Sequence, residues 1–179
     1  MIGDMKTYLV TGAAGFIGAA IADALLKLGN SVVTIDNLST GREDIIPQGC
    51  IFIKGNDYDI EIIKQLDKYR FDSIIHIAGQ SSGEISFEKP VYDLQTNTQS
   101  TLMLLDYAKR TGCKEFIFAS SMSVYGDHEI SLVSEDTLAV PKSFYAVGKL
   151  ASENYMRIYS SMYGSVTLFQ CLWCWSEYG

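Results

Sequence analysis

The chain has 179 residues, of which 47% are apolar and 20% charged, with only three prolines. This composition is typical of one globular domain and excludes a disordered tail, a collagen-like repeat or a disulfide-stabilised miniprotein. Lysine and arginine total 14 against 21 acidic residues, so the net charge is −7, and no basic stripe is present to bind nucleic acid.

The four cysteines favour a reducing, cytoplasmic location. Segment 8–26 is mostly apolar, but Asp23 and three glycines argue against a signal peptide or membrane span.

Short β-rich runs alternate along the chain with longer segments of helical period. The pattern predicts strands at 7–11, 31–35, 51–54, 73–77, 115–120 and 165–169. It predicts helices at 16–28, 60–69, 93–111 and 144–163. Most of the strands are continuous apolar runs, as expected for a sheet covered on both faces. We therefore expect an α/β fold with a doubly wound parallel sheet, formed as one domain by residues 1–179.

A glycine-rich sequence joins the first strand to the first helix. Residues 11–18 read Thr-Gly-Ala-Ala-Gly-Phe-Ile-Gly and place Gly12, Gly15 and Gly18 at a spacing of three. Small residues let backbone N–H groups approach a pyrophosphate, and the helix N-terminus that follows favours negative charge. The loop predicts a dinucleotide site, and the alternative is a tight turn with no ligand.

An acidic residue follows the second strand at the position that suits a ribose. Asp36 lies 18 residues after Gly18, where its carboxylate can accept hydrogen bonds from adenosine hydroxyls. A carboxylate repels a 2′-phosphate, so NAD is favoured over NADP, although nearby Arg42 could serve a phosphate. The alternative is that Asp36 is a solvated turn residue.

Polar residues also follow the third and fourth strands. Asp57 is a candidate adenine contact, and Asn56 could serve instead. His76 has no metal-ligand partner at a useful spacing, so we interpret it as a structural histidine.

A serine, a tyrosine and a lysine could supply acid–base chemistry. Tyr145 and Lys149 share one face of a predicted helix, and serines at 120, 121 and 123 follow the fifth strand. A tyrosine beside an ammonium group loses its proton more easily and can act as a base. A serine hydroxyl would orient the substrate oxygen while hydride passes to a nicotinamide.

Taken together, these motifs resemble the extended short-chain dehydrogenase/reductase family. The resemblance is carried by the glycine loop, Asp-Asn-Leu-Ser at 36–39, His-Ile-Ala-Gly at 76–79, Ser-Ser-Met-Ser-Val-Tyr-Gly at 120–126 and Tyr-x-x-x-Lys at 145–149. Within the family the chain is most similar to the nucleotide-sugar epimerases and dehydratases, and the UDP-glucose 4-epimerases are the nearest pattern. The similarity covers residues 6 to about 168 and implies an NAD(P)-binding Rossmann fold.

The resemblance implies a role for each residue that matches a family motif. Ser121 matches the catalytic hydroxyl residue, Tyr145 the base and Lys149 the partner that binds the ribose. Phe16 and Ile17 would touch the pyrophosphate. The implied NAD contacts are Gly12, Gly15, Phe16, Ile17, Gly18, Asp36, Asn37, Asn56, Asp57, Ile77, Ala78, Gly79, Asn97, Ser120, Tyr145 and Lys149, and no metal is implied.

The residues after the catalytic hydroxyl favour an epimerase over a dehydratase. The 4,6-dehydratases carry an acidic pair there, whereas this chain has Met122 and Ser123. By analogy, Tyr145 would remove the sugar O4 proton while the C4 hydride moves to NAD. The ketone would rotate and take the hydride back on its other face, so NAD is regenerated.

The resemblance also leaves two alternatives open. Members of the family are nearly twice as long and hold their nucleotide-sugar pocket in a C-terminal region, so we expect that region to be absent from these 179 residues. The chain could therefore be a non-catalytic NAD-binding fragment that does not bind the UDP-sugar. An NADP-dependent ketone reductase is a third reading, which Asp36 disfavours.

Two further expectations concern the end of the chain and its assembly. Residues 169–176 lack the family pattern, and a one-nucleotide shift of their codons can restore it, so we hypothesise a frameshift near Phe169. The family commonly forms homodimers through a four-helix interface made by the helices predicted here at 93–111 and 144–163. The candidate interface residues are Leu102, Leu105, Tyr155, Tyr159 and Met162, and the alternative is that they face the sheet.

Overall fold

The computed structural model describes residues 4–127, 133–134, 136–163 and 167–169. The strands are β1 (Thr7–Thr11), β2 (Ser31–Asp36), β3 (Ile51–Lys54), β4 (Ser73–His76), β5 (Glu115–Ala119) and β6 (Thr167–Phe169). The α-helices are α1 (Phe16–Lys27), α2 (Ile60–Gln65), α3 (Gly83–Glu88), α4 (Pro90–Leu94), α5 (Ser100–Thr111) and α6 (Phe144–Tyr163). The hypothesised frameshift concerns residues that, from 170 onward, lie outside the described part of the chain.

The described strands form one sheet in the order β3-β2-β1-β4-β5-β6, and each neighbouring pair is parallel. This confirms the predicted doubly wound fold class. The order reverses at β1, whose two neighbours are β2 and β4, so the chain crosses to opposite sides of the sheet from there. A crevice forms outside the carboxyl ends of the strands at such a point, which is where the predicted site residues lie in the sequence.

Both faces of the sheet are covered, which explains the continuous apolar strands. Leu9 packs in a cluster with Leu104 and Met156 from helices α5 and α6. The next residue, Val10, packs on the opposite face with Ala22 of α1. Because successive strand residues point to opposite faces, a sheet covered on both faces favours strands that are mostly apolar along their whole length.

The strand boundaries follow the prediction closely. The bounds of β1 and β3 are as predicted, β2 extends one residue further to Asp36, and β5 ends one residue earlier at Ala119. Strand β4 ends at His76 because the next two backbone N–H groups, those of Ile77 and Ala78, bond to the Thr11 hydroxyl oxygen. Strand β6 begins at Thr167, and residues 164–166 lie outside the described ranges.

Several helices differ from the prediction. The helix predicted at 93–111 starts earlier, with Pro90 at its first turn, and contains a π-helical turn at Gln95–Gln99 between α4 and α5. The helix predicted at 60–69 becomes α2 followed by a 3-10 turn, and the short helix α3 was not predicted. Ser82 caps α3 by accepting a hydrogen bond from the Ile85 N–H group, a local signal that the apolar pattern does not contain.

The candidate dimer residues do not form one exposed stripe. Leu105 is buried in the core, so the expectation that it lies at an interface is wrong, because its helix directs it onto the sheet. Tyr155 and Tyr159 pack partly against the same core, whereas Met162 is exposed. Within the described residues, no helix combines the length and the hydropathy needed to cross a lipid bilayer.

Candidate cofactor-binding and active site

The glycine loop is packed too tightly for side chains at two of its positions. Gly12 has φ of +77°, and a β-carbon there would lie 2.9 Å from the Ala78 backbone nitrogen. A β-carbon on Gly18 would collide with the Gly12 carbonyl group, so this glycine lets α1 lie directly on the loop. Gly15 caps α1 and has no side chain with which to cover the helix N-terminus. The first-turn N–H groups therefore face the crevice, as anion binding requires.

Asp36 organises the loops around its own carboxylate. Its Oδ2 atom accepts a hydrogen bond from the Ala14 N–H group at 3.0 Å, and its Oδ1 atom accepts one from the Leu38 N–H group at 2.8 Å. Each carboxylate oxygen can accept a second bond, so the group retains capacity for ribose hydroxyls. The exposed Arg42 guanidinium pairs with Asp44, so the cation that could have served a 2′-phosphate has another partner here.

His76 is buried within a hydrogen-bonded group, which agrees with its interpretation as a structural residue. Its Nδ1 atom lies 2.8 Å from Thr11 Oγ1, and its Nε2 atom lies 3.1 Å from Thr101 Oγ1. Burial and, to a smaller extent, the nearby Lys149 charge lower the pKa of His76 to about 3. The imidazole is therefore neutral at physiological pH.

Asp57 and Asn56 both line the crevice beside Asp36. Asn56 Oδ1 accepts a hydrogen bond from Asn37 Nδ2 at 2.8 Å, which joins the ends of β2 and β3. Asp57 is almost fully buried, and burial raises the pKa of its carboxyl group to about 7, with a smaller contribution from the Asp36 charge. Adenine contact by either residue remains a prediction.

A cavity of about 380 Å³ lies over the carboxyl ends of the strands. Twelve of the predicted site residues line it, namely Gly12, Gly15, Phe16, Ile17, Gly18, Asp36, Asn37, Asn56, Asp57, Ile77, Ala78 and Gly79. Tyr58, Gln80, Ser81, Tyr92 and Thr96 also line it and were missed by the sequence reasoning. These residues lie outside the recognised motifs. Tyr58 adjoins Asp57, Gln80 and Ser81 follow Gly79, and Thr96 adjoins Asn97, so proximity to predicted residues could have indicated all of them except Tyr92.

Ser121 and Tyr145 contact each other beside this cavity. Ser121 Oγ accepts hydrogen bonds from the Ser123 N–H group at 3.2 Å and the Ser123 hydroxyl at 3.0 Å. Its own proton is therefore available for the Tyr145 oxygen, and the Ser121 side chain is close enough to lower the pKa of that hydroxyl. Burial raises the pKa of Tyr145, and the bond to Ser121 opposes that rise.

Lys149 is buried beneath Tyr145 on the same face of α6. Its Nζ atom donates to the Ala119 carbonyl at 3.0 Å and lies 5.8 Å from the centre of the Tyr145 ring. Burial lowers the pKa of Lys149, the charges of Asp93 and Asp57 oppose this, and the resulting value is about 8. The side chain reaches the cavity at Gly79, where a β-carbon would lie 3.4 Å from Nζ. The ammonium group is thus charged at pH 7 and adjacent to both the tyrosine and the cavity.

Asn97 lies within the π-helical turn and reaches the same edge of the cavity. Its Nδ2 atom donates to Gln80 O at 3.0 Å and to Asp93 Oδ1 at 3.2 Å. Its Oδ1 atom is buried without a hydrogen-bond partner among the described residues and would lie 2.6 Å from a β-carbon on Gly79. A buried acceptor without a donor is costly, so a ligand N–H or O–H group is a suitable partner for it.

Ser120 is the predicted cofactor contact that the geometry supports least. Its hydroxyl donates to Glu153 Oε1 on α6, and the residue does not line the cavity. A cofactor role for this side chain remains a prediction without a contact to support it.

The doubly wound parallel sheet and the glycine loop are typical of dinucleotide-binding proteins, and a serine, a tyrosine and a lysine lie near one another at the end of β5 and on α6. Residues 8–173 match the family model described as NAD dependent epimerase/dehydratase family, and the chain belongs to that family.

The relatives are nucleotide-sugar epimerases. The chain is 36% identical to the UDP-glucose 4-epimerase of Mycolicibacterium smegmatis over 165 residues, which cover 89% of this chain and 52% of the relative. It matches the Thermotoga maritima UDP-glucose 4-epimerase solved with UDP-glucose at 32% identity and a TM-score of 0.88, over 92% of this chain and 54% of that one. The Thermus thermophilus UDP-glucose 4-epimerase complex with NAD matches at 35% identity and a TM-score of 0.85, over 92% and 53%. The chain thus spans about half the length of these relatives.

Proposed function

We propose that this chain binds NAD and carries the catalytic groups of a nucleotide-sugar 4-epimerase. The observation that carries the proposal is the grouping of Ser121, Tyr145 and Lys149. Lys149 reaches Gly79 in the lining of a cavity that also holds a glycine loop and an acidic strand end. The relatives named above, which act on UDP-glucose by their descriptions, support a UDP-sugar as the substrate class.

The residues of the cavity fit a dinucleotide. Gly15 has no side chain to cover the first N–H groups of α1, so this helix end suits a pyrophosphate. The close packing of Gly12 against the Ala78 backbone leaves the space above the loop for that group. Asp36 offers acceptors to the adenosine ribose and disfavours a 2′-phosphate, which supports NAD over NADP. Lys149 and the unpaired Oδ1 atom of Asn97 lie at the opposite edge, where they would hold the nicotinamide half.

The reaction divides between the cofactor and the protein. NAD, when bound, accepts and returns a hydride at the sugar carbon. Tyr145 takes the hydroxyl proton of that carbon and later returns it, Lys149 favours the tyrosinate, and Ser121 holds the substrate oxygen. Removal of a proton and a hydride leaves a ketone, and their return to the opposite face inverts the carbon with no net oxidation.

Epimerisation is favoured over dehydration by the residues next to Ser121. Met122 and Ser123 begin a 3-10 turn there, and the Ser123 hydroxyl is bonded to Ser121. Neither residue is an acid that could eliminate water from the sugar.

Two measurements test the proposal. Native mass spectrometry of the purified chain should detect one bound NAD, and titration should give weaker binding of NADP. UDP-sugar interconversion is then assayed in the longest protein product that contains this chain. NAD binding without interconversion in that product would support the non-catalytic alternative, and preference for NADP would support a reductase.

We further propose a homodimer formed by the exposed apolar side chains of α4 and α6. Val91, Leu94, Val147, Ile158 and Met162 are exposed apolar residues on α4 and α6. Covering such residues by a second copy would remove apolar surface from water. Sedimentation should then detect a dimer that Ile158→Glu converts to a monomer. The proposal is contradicted if the parent chain and the variant both sediment as monomers.

A further inference from the structure

Helix α6 contacts three consecutive residues at the end of β5. Tyr145, Lys149 and Glu153 are spaced four residues apart, which places them on one face of the helix. Lys149 donates to the Ala119 carbonyl, Glu153 accepts from the Ser120 hydroxyl, and Tyr145 lies close enough to Ser121 for that side chain to lower its pKa. The proposed function uses Tyr145 and Lys149 but leaves the third side chain, Glu153, without a role.

The Ser120–Glu153 contact is a buried, charge-assisted hydrogen bond. Ser120 is 7% exposed and Glu153 is 3% exposed. The second carboxylate oxygen of Glu153 lies 3.4 Å from the guanidinium of Arg157, which is itself 59% exposed at its side chain. A hydrogen bond to a buried carboxylate is stronger than one between neutral groups, and loss of its donor leaves a desolvated charge. The contact therefore holds Ser120 firmly against α6.

The position of Ser120 determines where Ser121 can point. Ser121 directly follows Ser120 in the chain, and its backbone is extended, with φ of −149° and ψ of 147°. Lys149 holds the Ala119 carbonyl and Glu153 holds the Ser120 side chain, so the peptide segment that leads into Ser121 is held against α6 at two points. The position of the Ser121 hydroxyl near Tyr145 thus depends on these two bonds as well as on the contacts of Ser121 itself.

We propose that Glu153, acting through Ser120, is a positioning residue that holds the Ser121 hydroxyl against Tyr145. The proposal deepens the proposed function and rests on it, because the aligned pair is the one that would move the substrate proton. Glu153 is not one of the residues that line the cavity.

The test reads the Tyr145 hydroxyl directly in the chain as it exists. Tyrosines are replaced by fluorotyrosine, the Tyr145 resonance is assigned with Tyr145→Phe, and its pKa is followed by ¹⁹F NMR. Ser120→Ala and Glu153→Ala should each raise the pKa of Tyr145 by about 0.5–1, because the Ser121 hydrogen bond that stabilises the tyrosinate is weakened. Glu153→Gln retains an acceptor oxygen and should restore most of the parent value.

Three controls separate positioning from general stability and from the proposed function. Arg157→Gln alters the exposed partner of Glu153 and should leave the Tyr145 resonance unchanged. Ser121→Ala gives the full effect of losing the hydroxyl.

If Ser121→Ala moves the pKa of Tyr145 while Ser120→Ala and Glu153→Ala only lower the melting temperature, the positioning role is wrong. If Ser121→Ala itself moves nothing, the Ser121–Tyr145 pair and the proposed function fail together. Ser120→Thr retains the hydroxyl and serves if the alanine variant does not fold.

Discussion

Asp57 Oδ2 lies 3.7 Å from His76 Nδ1, yet the two side chains do not form a charged pair. Thr11 Oγ1 already accepts the backbone N–H groups of Ile77 and Ala78, so its own proton is donated to His76 Nδ1. The histidine proton then resides on Nε2, facing Thr101. Asp57 Oδ2 consequently has no hydrogen-bond donor among the described residues.

This arrangement predicts that Asp57 destabilises the fold as the pH rises. The pKa of Asp57 is raised to about 7 in the folded chain from 3.8, so the folded state binds more protons than the unfolded state between those values. Stability contributed by the protonated acid is therefore lost as the pH rises through about 7. Asp57→Asn should stabilise the chain by about 1–3 kcal/mol at pH 8 and by less at pH 5.

Urea unfolding of both proteins at the two pH values measures the effect. His76 is neutral in the folded state of both proteins, so its contribution to the free energy of unfolding cancels when the two proteins are compared at one pH. Asp4→Asn, which changes an exposed carboxylate, should show no such pH dependence. An equal effect of Asp57→Asn at pH 5 and pH 8 would mean that the Asp57 carboxyl group titrates normally.

Asp36 should determine the preference for NAD. Asp36→Ala removes the ribose acceptor and should weaken NAD binding by about tenfold to 150-fold, with a narrower preference over NADP. The variant also loses the bonds to the Ala14 and Leu38 N–H groups, so Asp36→Asn is measured beside it because it keeps one acceptor. Calorimetry gives both affinities. Glu43→Gln removes a nearby exposed carboxylate as the control, and unchanged NAD affinity in Asp36→Ala would rule out the ribose contact.

Two glycine substitutions should have opposite outcomes. A β-carbon on Gly18 meets the Gly12 carbonyl group, so Gly18→Ala forces α1 away from the loop and should cost about 1–3 kcal/mol of unfolding free energy. A β-carbon on Gly83 meets nothing within 4 Å, so Gly83→Ala should be neutral or stabilise by up to about 1 kcal/mol. Thermal unfolding compares the two variants. Equal melting temperatures would show that the close approach of Gly18 to Gly12 is not maintained in solution.

The strands and the glycine loop were predictable because their signals are local. A continuous apolar run such as that containing Leu9 and Val10 specifies a strand buried on both faces. The spacing of three between Gly12, Gly15 and Gly18 marks a loop that packs closely against the start of a helix. The π-helical turn around Asn97 could not be predicted, since its extra residue is accommodated by bonds from Thr101 and from Ser152 of α6 to the Asn97 carbonyl. Such bonds depend on tertiary packing that helical periodicity does not encode.

The site shows the same division between local and distant signals. Tyr145 and Lys149 were recognisable from their spacing of four residues, which any helix places on one face. The bond between Ser120 and Glu153 joins residues 33 positions apart, so no local pattern indicated it. Asp57 was predicted at the cavity, but its approach to His76 depends on the pairing of strands β1 and β4.

Tyr145 should be required for turnover but not for cofactor binding. Tyr145→Phe keeps the buried ring and removes only the hydroxyl oxygen that lies near Ser121, so the fold and the NAD affinity should change little. Loss of a positioned base should lower UDP-sugar interconversion by about 10²–10⁴-fold in the longest protein product that contains this chain. Tyr155→Phe changes a tyrosine that packs against the core on the same helix and should leave turnover nearly unaffected. Steady-state rates at saturating UDP-sugar, taken together with NAD titrations, separate the two effects. Tyr145→Phe turnover within threefold of the parent rate would assign the proton transfer to another group.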